Sequence, residues 1–133
     1  MTKEEMIKQM ENMGFIKNNN YKVVDIEEGK KVTLKGKITE TSNNPYNIAH
    51  GGYIFGLGDT AMGVLAASTG RNAVTLSANI TYLKPSKGKY LIAKSEIIKS
   101  GKTTCYMRTN IYNEKDELTA IMDSNYFYID VKE

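Results

Sequence analysis

The pattern of apolar and polar positions in this chain of 133 residues predicts two helices of different character. Thr2 and Glu5 form the pattern of a capping box, and apolar residues follow at helical spacing up to Met13. Gly14 is the predicted end of this short amphipathic helix. Residues 53–69 are apolar on nearly every side of a helix. Such a helix is about 25 Å long, and its apolar surface predicts that it is buried inside the fold.

Alternating apolar and polar residues, the period of a strand with one buried face, fill most of the remaining chain. The predicted strands are residues 21–26, 31–39, 73–83, 89–99, 103–113 and 118–130. In the third strand one face is predicted to hold Val74, Leu76, Ala78 and Ile80, and the other Thr75, Ser77, Asn79 and Thr81. Short turns join most of the strands, which favours an antiparallel sheet. We therefore predict one α+β domain over residues 1–133, with an antiparallel sheet wrapped around one long central helix.

Composition and charge narrow the classes of function. With 41% hydrophobic residues, 25% charged residues and a mean hydropathy of −0.43, the chain has the composition of a folded, water-soluble domain. Its formal net charge is +3, and the Lys and Arg residues are scattered along the sequence. The absence of a basic stripe disfavours a nucleic-acid partner. A mild positive charge still suits a partner that carries a few phosphates.

The cysteine content limits metal and disulfide chemistry. Cys105 is the single cysteine, which excludes an intramolecular disulfide and, with one histidine in the chain, a structural zinc site. We predict that Cys105 lies in the sheet as a small buried residue.

The charged N-terminal stretch is no signal peptide, and the glycines and single acid of residues 50–70 argue against a membrane span. We expect a cytoplasmic protein.

The candidate chemistry lies in the stretch HGGYIFGLGDTAMGVLAASTG, where Asp59 is the one side chain that is reliably charged. A carboxylate removed from water costs several kcal/mol unless a neighbour compensates it. One interpretation is a structural carboxylate that faces water or the local backbone. The glycines at positions 56, 58 and 63 favour a site instead, because they weaken the helix and permit close approach of a ligand or another backbone.

The segment His50-Gly51-Gly52 is predicted to begin the long helix. The amides of Gly51 and Gly52 are expected to be unpaired donors at the positive end of the helix dipole, suited to a developing oxyanion. His50 has two interpretations, a base or a loop residue braced by hydrogen bonding, and the second is favoured. The match of residues 56–61 to a dinucleotide-binding pattern is rejected, because the next acid is Glu96 and no βαβ alternation occurs. No G-x-S-x-G nucleophile elbow is present.

The stretch NPYNIAHGGYIFGLGDTAMGVLAAS resembles the signature of hotdog-fold acyl-CoA thioesterases of the phenylacetyl-CoA thioesterase-like group. That signature has an Asn, HGG six residues later, and an Asp nine residues after the His. Asn44, His50, Gly51, Gly52 and Asp59 match it here. The segments AVTLSANITYLKPSKG and IKSGKTTCYMRTNIYNEKDELTA are similar to the family's following strand and hairpin. The resemblance covers about residues 32–128.

The resemblance implies a thioester hydrolase that needs no metal or other cofactor. Gly51 would polarise the thioester carbonyl through its amide, with Gly52 beside the substrate. Asp59 would act as nucleophile or as general base on water, and Asn44 would position the substrate or water. Thr75 corresponds to a residue that orients the water in some relatives. Ser77, two residues along on the same strand face, is expected to contact the substrate.

The resemblance also implies acyl-CoA as the partner, with its phosphates held by lysines near the strand turns. The candidates are Lys84, Lys87, Lys99 and Lys102, of which Lys102 ranks first. The implied assembly is a homodimer with sheets joined edge to edge, or a tetramer of two such dimers. Its active site would combine Asn44 and Gly51 of one subunit with Asp59 of the other.

Two alternatives belong to other classes of function. A non-catalytic acyl-CoA-binding module is disfavoured because the acid, Asp59, is present. A hotdog hydratase or dehydratase is disfavoured because the motifs typical of those enzymes are absent. Aryl, medium-chain and 3-oxo acyl groups all stay open as substrates.

Overall fold

The computed structural model of the chain describes residues 2–129 and contains three helices and six strands in that range. The helices are α1 (Lys3–Glu11), α2 (Gly14–Asn18) and α3 (Gly51–Ser68), and a single 3-10 turn spans Glu40–Ser42. The strands are β1 (Tyr21–Glu27), β2 (Lys31–Lys37), β3 (Ala73–Tyr82), β4 (Tyr90–Ser100), β5 (Thr104–Asn113) and β6 (Leu118–Tyr128). All six predicted strands are confirmed to within about two residues, except that the predicted end of the last strand at Asp130 lies outside the described residues.

The strands form one antiparallel sheet in the order β1-β2-β4-β5-β6-β3. Helix α3 lies against one face of this sheet and contacts all six strands. The helix contributes the fully buried side chains of Leu57, Ala61, Met62 and Leu65 to the core. Because burial of such apolar surface drives folding, the apolar helix predicted from the sequence becomes the centre of the fold. The predicted α+β architecture, with a sheet wrapped around one central helix, is confirmed.

The N-terminal segment forms two helices where the sequence predicted one. The capping box is present: the Glu5 amide donates to Thr2 Oγ1 at 3.1 Å, and the Thr2 amide donates to Glu5 Oε1 at 2.8 Å. The prediction that Gly14 ends a helix is wrong, since α1 ends at Glu11 and Gly14 begins α2. Met13 has an extended backbone and starts the new helix, and Ile16 anchors it in the core.

The glycines of α3 make room for side chains of the chain itself. A Cβ on Gly56 would lie 2.7 Å from the Tyr21 hydroxyl, and one on Gly58 would lie 2.7 Å from Met122 Sδ. The expectation that Gly56 and Gly58 admit a ligand or another backbone is therefore wrong. Close packing of the sheet on the helix explains both positions.

A β-bulge in β3 changes the predicted pattern of its faces. Thr75 pairs with Tyr126, whereas Ser77 pairs with Asn125, the residue next to Tyr126 in β6. Because adjacent residues of β6 point to opposite faces, Thr75 faces the helix and Ser77 faces away from it. The extra residue of the bulge reverses the alternation. The prediction that Ser77 shares the face of Thr75 is wrong, and so is the single apolar face from Val74 to Ile80.

Cys105 is fully buried in β5, as predicted. No helix between residues 2 and 129 is long and apolar enough to cross a membrane. Across the same residues, no three His, Cys, Asp or Glu side chains lie close enough together to hold a metal ion.

Candidate active site

Two hydroxyl groups hold the carboxylate of Asp59. Asp59 lies in the third turn of α3 and is half-buried against β3 and β6. Thr75 Oγ1 donates to Asp59 Oδ1 at 2.9 Å, and the Tyr126 hydroxyl lies 2.6 Å from the same oxygen. Among the hydrogen bonds described for residues 2–129, none involves Oδ2 of Asp59. The arrangement orients the carboxylate through one oxygen and leaves the other able to act on a substrate or a water molecule.

Tyr126 is the site residue that the sequence did not reveal. Its side chain is 3% exposed, and its hydroxyl also lies 2.7 Å from the backbone oxygen of Asp59. Burial and, next, the charge of Asp59 raise the pKa of Tyr126 well above its usual range. The phenol is therefore protonated at neutral pH and is a hydrogen-bond donor there. No signal in the sequence distinguishes it from Tyr128, two positions later on the same face.

His50 caps the helix and accepts a hydrogen bond from one of the two amides that were expected to be unpaired donors. The Gly52 amide donates to His50 Nδ1 at 2.8 Å, so Gly52 is not the open donor that the sequence predicted. The physical reason is N-capping, in which a side chain accepts from the second or third helical amide. Within residues 2–129, no protein acceptor is described for the Gly51 amide, which lies at the first position of the helix. The Tyr82 hydroxyl donates to the Gly51 carbonyl at 2.7 Å and ties this end of the helix to β3.

Asn44 shapes the loop that leads into the helix. Asn44 Oδ1 accepts from the Tyr46 amide at 2.9 Å and from the Ile48 amide at 3.4 Å. The His50 amide donates to the Ser42 carbonyl at 2.7 Å and closes the loop. Within one chain, no described contact joins Asn44 to Asp59. The side chain therefore organises the approach to the Gly51 amide rather than the carboxylate.

Gly51 and Asp59 are too far apart in one chain to act on the same carbonyl group. They occupy the first and ninth positions of α3, which corresponds to about 12 Å along the helix axis. Reacting groups must approach to roughly 3–3.5 Å of one another. A site that uses both groups therefore needs the amide and the carboxylate to come from different copies of the chain.

The four lysines predicted to hold phosphates lie at opposite ends of the sheet. Lys84 and Lys87 line a cavity of about 320 Å³ near the start of β4, where Lys84 forms an ion pair with Glu117 at 3.1 Å. Lys99 lies near the end of β4 and Lys102 lies in the turn that follows it. Because β4 has eleven residues, this end of the strand is about 33 Å from its start. They share the end of the sheet near Asp59, since Thr75 lies early in β3. Within one chain the four lysines do not form one cluster.

Comparisons with known proteins give consistent results. A family model described as Thioesterase superfamily matches residues 46–120, more than half of the chain. The acyl-coenzyme A thioesterase 13 of Homo sapiens is 30% identical over 87 residues, which cover 63% of this chain and 62% of that protein. The chain thus matches less than two thirds of the length of this relative.

Solved structures extend the similarity over nearly the whole fold. A hypothetical thioesterase protein with coenzyme A from Streptococcus pneumoniae TIGR4 superposes with a TM-score of 0.85 at 29% identity, covering 96% of this chain and 99% of that one. The PaaI protein of the phenylacetic acid degradation operon of E. coli superposes with a TM-score of 0.86 at 24% identity, covering 96% of each chain. The second likeness concerns the fold alone, and it confirms the predicted hotdog fold.

Proposed function

The chain belongs to the thioesterase superfamily, and from this premise we propose that it hydrolyses acyl-CoA thioesters to a free acid and CoA. The observation that carries the proposal is the carboxylate of Asp59, which Thr75 and Tyr126 hold through Oδ1 alone. The human thioesterase 13 and the coenzyme A bound to the streptococcal structure support the substrate class. The assignment of the chain to the phenylacetyl-CoA thioesterase-like group, made from its sequence, agrees with its 29% identity over 100 residues to the acyl-coenzyme A thioesterase PaaI of Escherichia coli.

In the proposed reaction, the Gly51 amide donates to the thioester carbonyl oxygen. The amide and the positive end of the α3 dipole stabilise the negative charge that develops on that oxygen. If Asp59 is the general base, Oδ2 takes a proton from water while the water oxygen attacks the carbonyl carbon. The C–S bond then breaks, and the thiolate of CoA receives the proton. If Asp59 is the nucleophile, Oδ2 attacks the carbonyl carbon, the C–S bond breaks, and the CoA thiolate leaves as an anhydride forms between Asp59 and the acyl group. Water then hydrolyses the anhydride to the free acid and the Asp59 carboxylate, and the proton released goes to the thiolate.

The proposed active site combines two copies of the chain across β3. This strand is at the edge of the sheet, and its side chains Val74 and Leu76 are 47% and 62% exposed. A long apolar edge strand is prone to pair with a second strand. The same edge carries the Thr75 contact to Asp59 near its start and the Tyr82 contact to Gly51 at its end.

Antiparallel pairing of β3 with a second copy would bring the two half-sites together. If the two-fold axis passes between positions 78 and 79, Thr75 lies opposite Tyr82 of the second copy. Asp59 of one chain then lies beside the Gly51 amide of the other, and symmetry produces two sites per dimer. The Asp59 end of one chain, with Lys99 and Lys102, would also meet the Lys84 and Lys87 end of the other. A tetramer would pair two such dimers.

Release of free thiol from a panel of acyl-CoAs tests the proposed function. The panel contains aryl, medium-chain and 3-oxo acyl groups together with one enoyl-CoA, and each assay is run with and without EDTA. We expect hydrolysis of at least one member at a rate that EDTA leaves unchanged. Saturable binding of acyl-CoA without thiol release would instead establish a binding module. Consumption of an enoyl-CoA without thiol release would establish a hydratase.

A further inference from the structure

A second cavity lies away from the Asp59 carboxylate and is lined by five lysines. It is open, has a volume of about 730 Å³, and is formed by the N-terminal helices and by β1, β2 and the start of β4. Its lysines are Lys17, Lys22, Lys35, Lys37 and Lys89, and Glu11 is its single acid. The side chains that hold the Asp59 carboxylate belong to β3 and β6, which form the opposite edge of the sheet. We name this cavity the lysine pocket.

The backbone that carries these lysines is held in place by hydrogen bonds. The Lys37 amide donates to the Asn20 carbonyl at 3.2 Å, and the Ile38 amide donates to the Lys89 carbonyl at 2.8 Å. From the core side, the Tyr53 hydroxyl donates to the Lys37 carbonyl at 2.6 Å. The segments that lead into β1, out of β2 and into β4 are thereby joined at the pocket. A preorganised site of this kind loses less entropy when it binds a ligand.

The positive charge of the lysine pocket is poorly compensated within the chain. Lys22 and Lys35 are directly opposite each other across β1 and β2, an arrangement of like charges that destabilises a sheet. No ion pair to any of the five lysines is formed by the carboxylates of residues 2–129. The acid of the pocket, Glu11, accepts the Val23 amide at 2.8 Å. Lys35 Nζ lies 4.2 Å from the centre of the Tyr90 ring instead.

Protection of a sheet edge does not explain this charge. Lysines on an exposed edge strand discourage pairing with other chains, and Lys22 on β1 fits that role. Lys35 and Lys37 belong to β2, which is paired on both sides. Lys89 precedes β4, an inner strand. Edge protection therefore leaves the charges of Lys35, Lys37 and Lys89 unexplained, whereas an anionic ligand would compensate them.

We propose that the lysine pocket binds a small molecule that carries two or more phosphate groups. Lysine ammonium groups act as point charges on flexible stems and suit phosphate clusters, whereas planar bidentate recognition of a carboxylate is typical of arginine. The volume lies within the range of roughly 300–1,000 Å³ that is common for small-molecule sites. A nucleoside diphosphate or triphosphate has the matching charge and size. The proposal does not depend on the thioesterase reaction.

Calorimetric titration of the full chain with ATP, and separately with tripolyphosphate, tests the proposal. The pocket variant is Lys35→Gln with Lys37→Gln. The matched control is Lys30→Gln with Lys31→Gln, which removes the same charge from exposed positions at the other end of the same hairpin. We expect saturable binding of one ligand per chain. Its affinity should fall at least tenfold in the pocket variant and less than twofold in the control, and it should weaken as salt is added.

Two outcomes would overturn the proposal. One is the absence of saturable binding of either probe at millimolar concentration. The other is equal weakening in the pocket variant and the control, which would indicate general charge attraction. If the pocket variant fails to fold, Lys22→Gln at the exposed end of β1 provides the same comparison, with at least a threefold loss expected. Since binding is measured without a thioester, these outcomes are distinct from a failure of the proposed hydrolysis.

Two substrates distinguish the sources of the phosphates. If the pocket binds the nucleotide part of CoA, CoA displaces ATP, and the pocket variant raises KM for an acyl-CoA but not for the matching acyl-pantetheine. If the ligand is a free nucleotide, CoA does not displace ATP and both KM values stay unchanged in the pocket variant.

Discussion

The hydroxyl of Tyr126 lies 2.6 Å from Oδ1 of Asp59, across a separation of 67 residues in the chain. The same hydroxyl is 2.7 Å from the backbone oxygen of Asp59. The Tyr126 side chain of β6 therefore contacts both the carboxylate of Asp59 and the backbone of α3. Thr75 donates to the same carboxylate oxygen from β3. The sheet therefore determines which oxygen of Asp59 faces the proposed substrate.

Tyr126→Phe removes the hydroxyl and keeps the ring. A hydrogen bond to a charged group contributes about 1.5–3 kcal/mol, so we expect kcat for acyl-CoA hydrolysis to fall about tenfold to a hundredfold with little change in KM. Tyr128→Phe is the matched control, since Tyr128 lies on the same strand as Tyr126 and its hydroxyl bonds to Ser100 Oγ of β4 at 2.7 Å rather than to Asp59. An unchanged kcat in Tyr126→Phe, or an equal fall in both variants, would show that the contact to Asp59 does not serve catalysis.

Asp59→Asn retains the shape of the side chain and removes its charge. Loss of a general base or nucleophile lowers kcat by about 10²–10⁴, and we expect a fall in this range with the fold retained, as measured by thiol release and circular dichroism. Asp116→Asn is the control. It removes a carboxylate from an exposed turn with a φ of 63°, a conformation that asparagine adopts readily. Turnover close to that of the unsubstituted chain in Asp59→Asn would make Asp59 a structural residue.

The course of the chain was predictable because its strongest signals are local. The apolar surface of residues 53–69 predicts a buried helix, and the helix observed at Gly51–Ser68 extends that range by two residues at its start. The strand alternation predicts six strands that need a core. By contrast, Tyr126 stands between Asn125 and Phe127 in a strand of ordinary composition, and its role depends on a partner in α3. Only the tertiary structure brings these two residues together.

The fate of Ser77 shows a second limit of sequence reasoning. Thr75, Ser77 and Asn79 alternate with apolar residues without interruption, and nothing in this pattern marks a bulge. The register with β6 nevertheless shifts between Thr75 and Ser77. Since a shift by one residue moves all later side chains to the other face, Thr75 reaches Asp59 and Ser77 does not. The pairing partner determines the shift, and a single strand does not reveal it.

Burial of tyrosines is expected to lower the stability of the fold at alkaline pH. Burial raises the pKa of Tyr53 to about 12, whereas the unfolded chain ionises this phenol near pH 10. The contribution of the neutral Tyr53 side chain to the free energy of unfolding is fully present below about pH 10. It is lost at about 1.4 kcal/mol per pH unit as the pH rises from about 10 towards the folded-state pKa.

Denaturant unfolding at pH 9 and pH 11 measures this loss. We expect the free energy of unfolding to fall less between the two pH values in Tyr53→Phe than in the unsubstituted chain. Tyr46→Phe, which changes a side chain that is 82% exposed, is the control and should keep the full dependence. An identical dependence in Tyr53→Phe would contradict the assignment.

Lys102 remains the first candidate for contact with the phosphates of CoA. It is exposed in the turn after β4, and its carbonyl accepts from Arg71 Nη2 at 3.1 Å, which braces the turn. We expect Lys102→Gln to raise KM for acyl-CoA at low salt and to leave kcat unchanged. The difference should shrink at high salt, because exposed charges are screened. A salt-independent KM in the unsubstituted chain would count against the assignment, and Lys30→Gln is the control.

The composite site is tested by mixing two inactive variants, Asn44→Ala and Asp59→Ala, through joint unfolding and refolding. If Asn44 and Gly51 of one copy face Asp59 of the other, each mixed dimer has one intact site and one doubly damaged site. With random exchange, half of the dimers are mixed, so activity should recover to about a quarter of that of the unsubstituted protein. No recovery, although mixed dimers form, would place both residues in the site of a single chain.

Mixing the unsubstituted chain with the double variant Asn44→Ala, Asp59→Ala gives the converse measurement. In a composite arrangement, each of the two sites in a mixed dimer takes Asn44 from one chain and Asp59 from the other. One of these two residues is then substituted in each site, and the mixed dimer is inactive. Equal mixing should then give about a quarter of the activity of the same total amount of unsubstituted protein, because only the dimers of two unsubstituted chains are active. If each site lies within one chain, every mixed dimer keeps one intact site and about half of the activity remains. The factor of two between these results does not depend on whether Asn44 acts on the substrate or through the loop that it holds, because both effects stay with the chain that carries the substitution.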